Sequence, residues 1–250
     1  MRIVSLCPSL TELVFDLGRG DELVGITKFC VHPPDGVARI EKLGGTKNPD
    51  VARIAQLRPD VVLLNREENR VEDAEALDAM GLHCHASMPR TLEETAAMVR
   101  SIGKELARET SGDAIAKEIE TRGHKVMLDA QGQSEVSYAY LIWREPWMSV
   151  NHDTFADALL TMAGGRNVFG ALEQRYPEIT LGALREAAPQ LLLLCTEPFP
   201  FHEKHIEELR EATGLAKAAI RIADGEFLSW HGSRTPDGID YAAGLIAGAR

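Results

Sequence analysis

ARIAQLRPDVVLLN (Ala52–Asn65) and GALREAAPQLLLLC (Gly182–Cys195) decide the fold. Each opens with helical spacing, reaches a proline at its eighth position, and then turns into an unbroken apolar run. The residue before a proline is pushed out of the α region, so a helix stops there. The following Val and Leu runs read as strands buried on both faces, as in parallel sheets. Each segment follows a glycine pair and an asparagine, GGTKNP from Gly44 and GGRN from Gly164. The echo predicts two lobes of similar topology.

Working outward, Ile3–Leu6, Leu23–Thr27 and Tyr138–Trp143 read as further buried strands, with helical segments between them. This alternation is α/β with largely parallel sheets. Ser9-Leu-Thr-Glu12 has the form of a capping box, with Gly18 ending its helix. Thr91-Leu-Glu-Glu94 opens a second box, and Leu92, Ala96, Val99, Ile102 and Leu106 then form one apolar stripe. Continuous to Leu128, that helix spans about 50 Å at ~1.5 Å per residue; the alternative is two helices broken at Gly112. The expected division is a lobe over 1–90, a linking helix over 91–130 and a lobe over 131–250.

Composition bounds the function. The chain has 250 residues, 44% hydrophobic and 26% charged, as in a soluble globular protein. A net charge of -11 argues against nucleic-acid partners, and no apolar run is long enough to span a bilayer. MRIVSLCPS is not a signal peptide, so the chain as written is cytoplasmic, or periplasmic if an export signal has been removed. Cys7, Cys30, Cys84 and Cys195 form no CxxC pair; free thiols are expected, with a disulfide as the alternative.

Enzyme signatures are missing. There is no G-x-S-x-G elbow and no phosphate-binding P-loop, and GRGDELVG from Gly18 follows a helix where a dinucleotide loop follows a strand. His83 and His85 share one side of a strand-like run, and His202 and His205 lie one helical turn apart; an edge strand and a solvated helix explain them without a metal.

Two α/β lobes, a long joining helix and no catalytic motif suggest a ligand clamp. RIVSLCPSLTELVFDLGRGDELVGIT, HPP and GGTKNPDVARIAQLRPDVVLLN resemble the first lobe of the helical-backbone (class III) substrate-binding proteins of ABC importers. YLIWREPWMSVNHDTFADALLTMAGGRNVFG, YPEITLGAL and APQLLLLCTEPFPF resemble the second lobe, closest to the cobalamin-binding branch. The resemblance implies two Rossmann-like lobes joined by one backbone helix. It further implies a non-enzymatic receptor that holds cobalamin, haem or a ferric siderophore in the interlobe cleft for an ABC permease. The alternative is a cytoplasmic ligand-handling protein or enzyme that reuses the fold in corrinoid or haem salvage. A monomer is expected, with no catalytic cofactor and no membrane insertion.

By the family pattern, Pro8, Ser9, Phe29, Thr46, Lys47, Asn48, Asn65 and Arg66 line the cleft from the first lobe. Trp143, Arg144, Trp147, Asp153, Tyr176 and Trp230 line it from the second. Core packing is the competing role for Trp143, and salt bridges compete with ligand clamping for Arg144 and Arg234. His152 and His231 are candidate metal ligands. Where cobalamin receptors carry cleft tryptophans, this chain has Thr46, Asn65 and Tyr176, and Phe29 replaces a tyrosine; a smaller or more polar chelate is implied. Permease docking through surface carboxylates falls to Glu67 or Glu68 and to Glu178, because Gly182 holds the second docking position.

Overall fold

The computed structural model describes every residue from Met1 to Arg250. In chain order, the first part holds β1 (Ile3–Ser5), α1 (Pro8–Asp16), β2 (Leu23–Ile26), α2 (Pro34–Val37), β3 (Gly44–Gly45) and β4 (Asn48–Pro49). There follow α3 (Val51–Leu57), β5 (Val61–Asn65), α4 (Val71–Ala79), β6 (Cys84–Ser87), α5 (Leu92–Glu105) and α6 (Glu109–Ala130). The remainder holds β7 (Val136–Trp143), β8 (Met148–Ser149), α7 (Phe155–Met162), β9 (Gly165–Asn167) and α8 (Leu181–Ala187). It ends with β10 (Leu191–Cys195), α9 (Glu203–Thr213), β11 (Ile220–Ala223), α10 (Gly225–Ser229) and α11 (Thr235–Ala247).

The chain forms two compact units. One comprises Met1–Pro89, Glu93–Glu118 and His231–Arg234; the other comprises Arg90–Leu92, Ile119–Trp230 and Thr235–Arg250. The first unit has a parallel sheet in the order β2-β1-β5-β6. The second has the order β11-β10-β7-β8, with β9 beside β7 and only β8 antiparallel. Parallel strands need cover on both faces, and β5 and β10 are buried at all five positions. On one face of the first sheet, Val4, Leu6, Val62 and Leu64 pack with Ile54 and Leu77 from α3 and α4. Each such side chain contributes about 1.5–3 kcal/mol of burial.

The echoed segments fold alike. Asp50 and Thr180 cap α3 and α8, accepting from the backbone N–H of Arg53 (2.9 Å) and Ala183 (3.0 Å). Both helices end on a left-handed residue, Arg58 at φ 48° and Ala188 at φ 40°, just before the proline.

Two expectations about helices are corrected. The span 91–130 is not one continuous helix but two, α5 and α6, as the alternative had it, and the break falls not at Gly112 but at Leu106–Arg108, where Ala107 takes φ 49°. Gly112 lies inside α6, against Gly103 of α5. A Cβ on Gly103 would stand 3.0 Å from the Cα of Gly112, so these glycines let two backbones touch. The helix with long stretches in both units is therefore the 22-residue α6, about 33 Å long, which passes from the first unit to the second after Glu118. Ser9 is not an N-cap either. The N-cap is Cys7, two residues earlier, with Pro8 in the first turn of α1, and the Ser9 hydroxyl meets the Cys7 thiol at 3.3 Å. No helix is long and apolar enough to cross a membrane.

Candidate functional site

In an open parallel sheet the loops after the strands gather at one end, where ligands bind. In the first unit these are the turns after β1, β2 and β5, joined by the β3–β4 hairpin. That hairpin needs glycine at Gly44: its φ is 96°, and a Cβ there would lie 2.5 Å from the Asn48 carbonyl oxygen. The Lys28 N–H donates to the Gly44 carbonyl (2.8 Å), and the Phe29 ring lies beside Gly45. Lys47 Nζ donates to the Glu67 carbonyl (2.6 Å). One buried amide completes the assembly. Asn69 Nδ2 donates to the carbonyls of Leu6 (2.9 Å) and Thr46 (3.0 Å), and its Oδ1 accepts from the Asn65 N–H (2.9 Å).

Exposure sorts the expected residues. Phe29 is 51% exposed, with Lys28 Nζ 5.0 Å above its ring. Lys47, Asn48 and Arg66 are exposed, and Pro8 is half-buried. Ser9, Thr46 and Asn65 are buried, so they shape the loops instead of presenting a side chain to solvent. Glu67 and Glu68 are half-buried, their backbone N–H groups donating to Asn65 Oδ1.

The second unit gathers aromatics at the ends of β7 and β10. Trp143 is 40% exposed and meets Phe199 edge-on at 5.7 Å. Trp147 stacks on Phe201 at 6.1 Å, and the two phenylalanines meet edge to face at 4.7 Å. His205 packs edge-on against both, its Nδ1 accepting from the His202 N–H (2.9 Å). Burial lowers the His205 pKa below the usual histidine range. Arg144 lies over Trp147 (5.6 Å), and its donors go to Glu208 (2.9 and 3.2 Å) and Glu145. The guanidinium is thus held by carboxylates of its own unit.

Asp153 pairs with Arg90 and Arg175 (both 3.2 Å), and Arg175 lies 5.9 Å above the half-buried Tyr176 ring. This second group joins the first through backbone bonds from Ser149 to Pro177 and from Ile179 to Trp147. Trp230 is buried, its Nε1–H donating to Glu197 Oε1 (2.5 Å). Glu178 is exposed, bridged through its backbone to Met148. Sequence reading missed Asn69, Phe199, Phe201 and Glu208, and it placed His205 on a solvated helix where the structure buries it. The one visible signal was that TEPFPF after β10 repeats the Glu-Pro-aromatic order of REPW after β7.

The two candidate metal ligands differ. His152 Nδ1 lies 2.7 Å from the Gly170 carbonyl, which can only accept, so Nδ1 bears the proton and the neutral ring carries its lone pair on Nε2. His231 is buried, its Nε2 2.9 Å from Asn65 Nδ2. His83 and His85 do face one side, toward Glu105 at 2.9 and 3.8 Å. No three His, Cys, Asp or Glu side chains are arranged to hold a metal ion. All four cysteines are free, and burial pushes the Cys7, Cys84 and Cys195 thiols up to about 12, leaving them poor nucleophiles at neutral pH.

Known proteins give this geometry a context. The chain is 25% identical over 191 residues to the vitamin B12-binding protein of Vibrio campbellii, covering 76% of this chain and 69% of that one. It is 20% identical over 234 residues to the vitamin B12-binding protein of Vibrio vulnificus, covering 94% and 85%. The solved periplasmic vitamin B12 binding protein of Vibrio cholerae superposes with a TM-score of 0.85 at 20% identity, over 99% of this chain and 97% of that one. A periplasmic heme-binding protein from Roseiflexus superposes with a TM-score of 0.85 at 21% identity, over 100% and 99%. At such identities these structures establish a shared fold. The periplasmic binding protein family profile matches residues 3–218, and the chain belongs to that family.

Proposed function

We propose that the protein is a substrate-binding protein for a corrinoid or another metal chelate, working as a monomer with an ABC-type permease. The carrying observation is the placement of its bare aromatics. Among the exposed large hydrophobics only Phe29 and Trp143 are aromatic, one at a strand end of each unit. An exposed ring at a strand end offers a flat apolar ligand a surface to stack on. Trp147, Lys47 and Arg66 complete the contact set. Buried Thr46, Asn65 and Trp230 hold the loops in place. The vitamin B12-binding and heme-binding names of the relatives support the same ligand class. A periplasmic location and docking through Glu67, Glu68 and Glu178 belong to this reading.

The test is retention of colour. Purified protein is mixed with cyanocobalamin, dicyanocobinamide, haem or a ferric siderophore, desalted, and read by absorption. One chelate is expected to stay bound and raise the melting temperature. Trp143→Ala then weakens binding at least tenfold, about 1.4 kcal/mol, while the free protein, though destabilised by loss of the Phe199 contact, still unfolds in one cooperative transition. If no chelate is retained and none shifts the melting curve, the reading fails.

A further inference from the structure

Asn65 is the last residue of β5 and only 1% exposed. Its Oδ1 accepts from the backbone N–H groups of Glu67 (2.9 Å) and Glu68 (3.1 Å). Backbone amides only donate, so the oxygen of this side chain must face them and its nitrogen must face away. That nitrogen lies 2.9 Å from His231 Nε2. Two donors cannot share a hydrogen bond. Nε2 is therefore the unprotonated acceptor, and the imidazole proton sits on Nδ1. The backbone of Asn65 is held in turn by Asn69, which accepts from its N–H and ties it to the turn after β1 and to the β3–β4 hairpin.

His231 opens a four-residue segment that belongs to the first unit while its flanks belong to the second. The segment is fastened at each end. Arg234 forks onto Glu12 with bonds of 2.9 and 2.6 Å, Ser233 Oγ donates to Asp16 (2.5 Å), and His231 is held by Asn65.

We propose that Asn65, braced by Asn69, is a positioning residue: it holds His231 as the neutral Nδ1–H imidazole and occupies the Nε2 lone pair, so His231 anchors residues 231–234 and does not ligate a metal. The metal clause rests on the proposed chelate function; the tautomer clause stands without it. An imidazole that does ligate through Nε2 keeps that lone pair clear by donating Nδ1–H to a carbonyl or carboxylate, as the ring of His152 does to Gly170. His231 has the same tautomer with its Nε2 already engaged.

Long-range 1H–15N spectra of the imidazoles test the first clause, with the His231 signals assigned by their loss in His231→Gln. In the wild type, Nε2 of His231 should carry no proton. Asn65→Asp keeps the side-chain shape and an oxygen for both backbone amides, but turns a second oxygen toward His231. Nε2 should then gain a proton. A protonated Nε2 in the wild type, or no change on Asn65→Asp, overturns the assignment; if that variant does not fold, the wild-type spectrum decides. The second clause is read from the absorption of bound haem or cyanocobalamin. His231→Gln should leave band positions unchanged, and a band shift shows coordination and overturns it. If the wild type retains neither chelate, the functional reading fails while the imidazole spectra still decide this one.

Discussion

The segments Val51–Asn65 and Leu181–Cys195 share a backbone and part company at their last residue. Each has a seven-residue capped helix, a left-handed exit, a proline and a five-residue strand with parallel neighbours on both sides. Past Asn65 the chain is organised by amides: Asn65 and Asn69 bind backbone groups and fix a histidine. Past Cys195 it is organised by rings, with Phe199 and Phe201 against Trp143, Trp147 and His205. The scaffold is set by burial and backbone geometry, and one scaffold carries two surfaces: a polar frame with one bare ring at Phe29, and an aromatic cluster with one bare ring at Trp143.

The shared part should break symmetrically. Leu63 and Leu193 are the central residues of β5 and β10, and both are 0% exposed. Leu63→Ala and Leu193→Ala each remove a filled core position between parallel strands. Each should cost about 3 kcal/mol in denaturant unfolding. A cost near zero at one site and full at the other would end the claim that the segments are equivalent.

The divergent part should break asymmetrically. Asn69→Ala leaves the Leu6 and Thr46 carbonyls and the Asn65 N–H without their partner in a buried setting, which should cost about 2 kcal/mol. It should also loosen three loops at once, read as faster amide exchange at Thr46, Asn65 and Glu67. In the second unit the matching probe is pH. Burial holds the folded-state pKa of His205 below its unfolded value near 6.5, so the unfolded chain takes up the proton first. Stability is complete above pH 6.5 and declines as pH falls below it. His205→Gln should flatten that decline in melting curves taken from pH 7.5 to 5, and an identical pH slope in both proteins would remove His205 as the cause.

What was legible in the sequence follows the same division. The strands after Pro59 and Pro189 could be read because burial on both faces writes a continuous apolar run, and proline marks where the helix must stop. Trp143 and Trp147 could be placed at a strand end for the same reason. The break between α5 and α6 could not, because the apolar stripe runs on through Leu106. What stops the helix is Ala107 at φ 49° and the backbone contact of Gly103 with Gly112, a tertiary demand. The amide frame was equally hidden. Asn65 and His231 are 166 residues apart, and no local pattern joins them. Asn69 sits in REENR, a string that otherwise reads as a solvated turn.

The smallest effects concern the left-handed exits, where the comparison can be sharpened by a change of sign. A residue with a Cβ is strained at positive φ, whereas glycine is not. Ala188 stands at φ 40° after α8, and Ala188→Gly removes only a methyl, so relief of strain should outweigh the added freedom of the unfolded chain. A gain of about 0.5 kcal/mol is expected. Arg58 occupies the same place after α3, at φ 48°, and Arg58→Gly should gain a similar amount less whatever its side chain contributes. The control is Gly214, which closes α9 at φ 76° and where an added Cβ would meet nothing within 4 Å. Space is open there, so Gly214→Ala isolates the backbone penalty and should lose about 1 kcal/mol. Opposite signs at Ala188 and Gly214 would show that the exits are dictated by the helix-to-strand turn and not by the residues that occupy them; equal signs would mean that Ala188 is held by contacts beyond its own backbone.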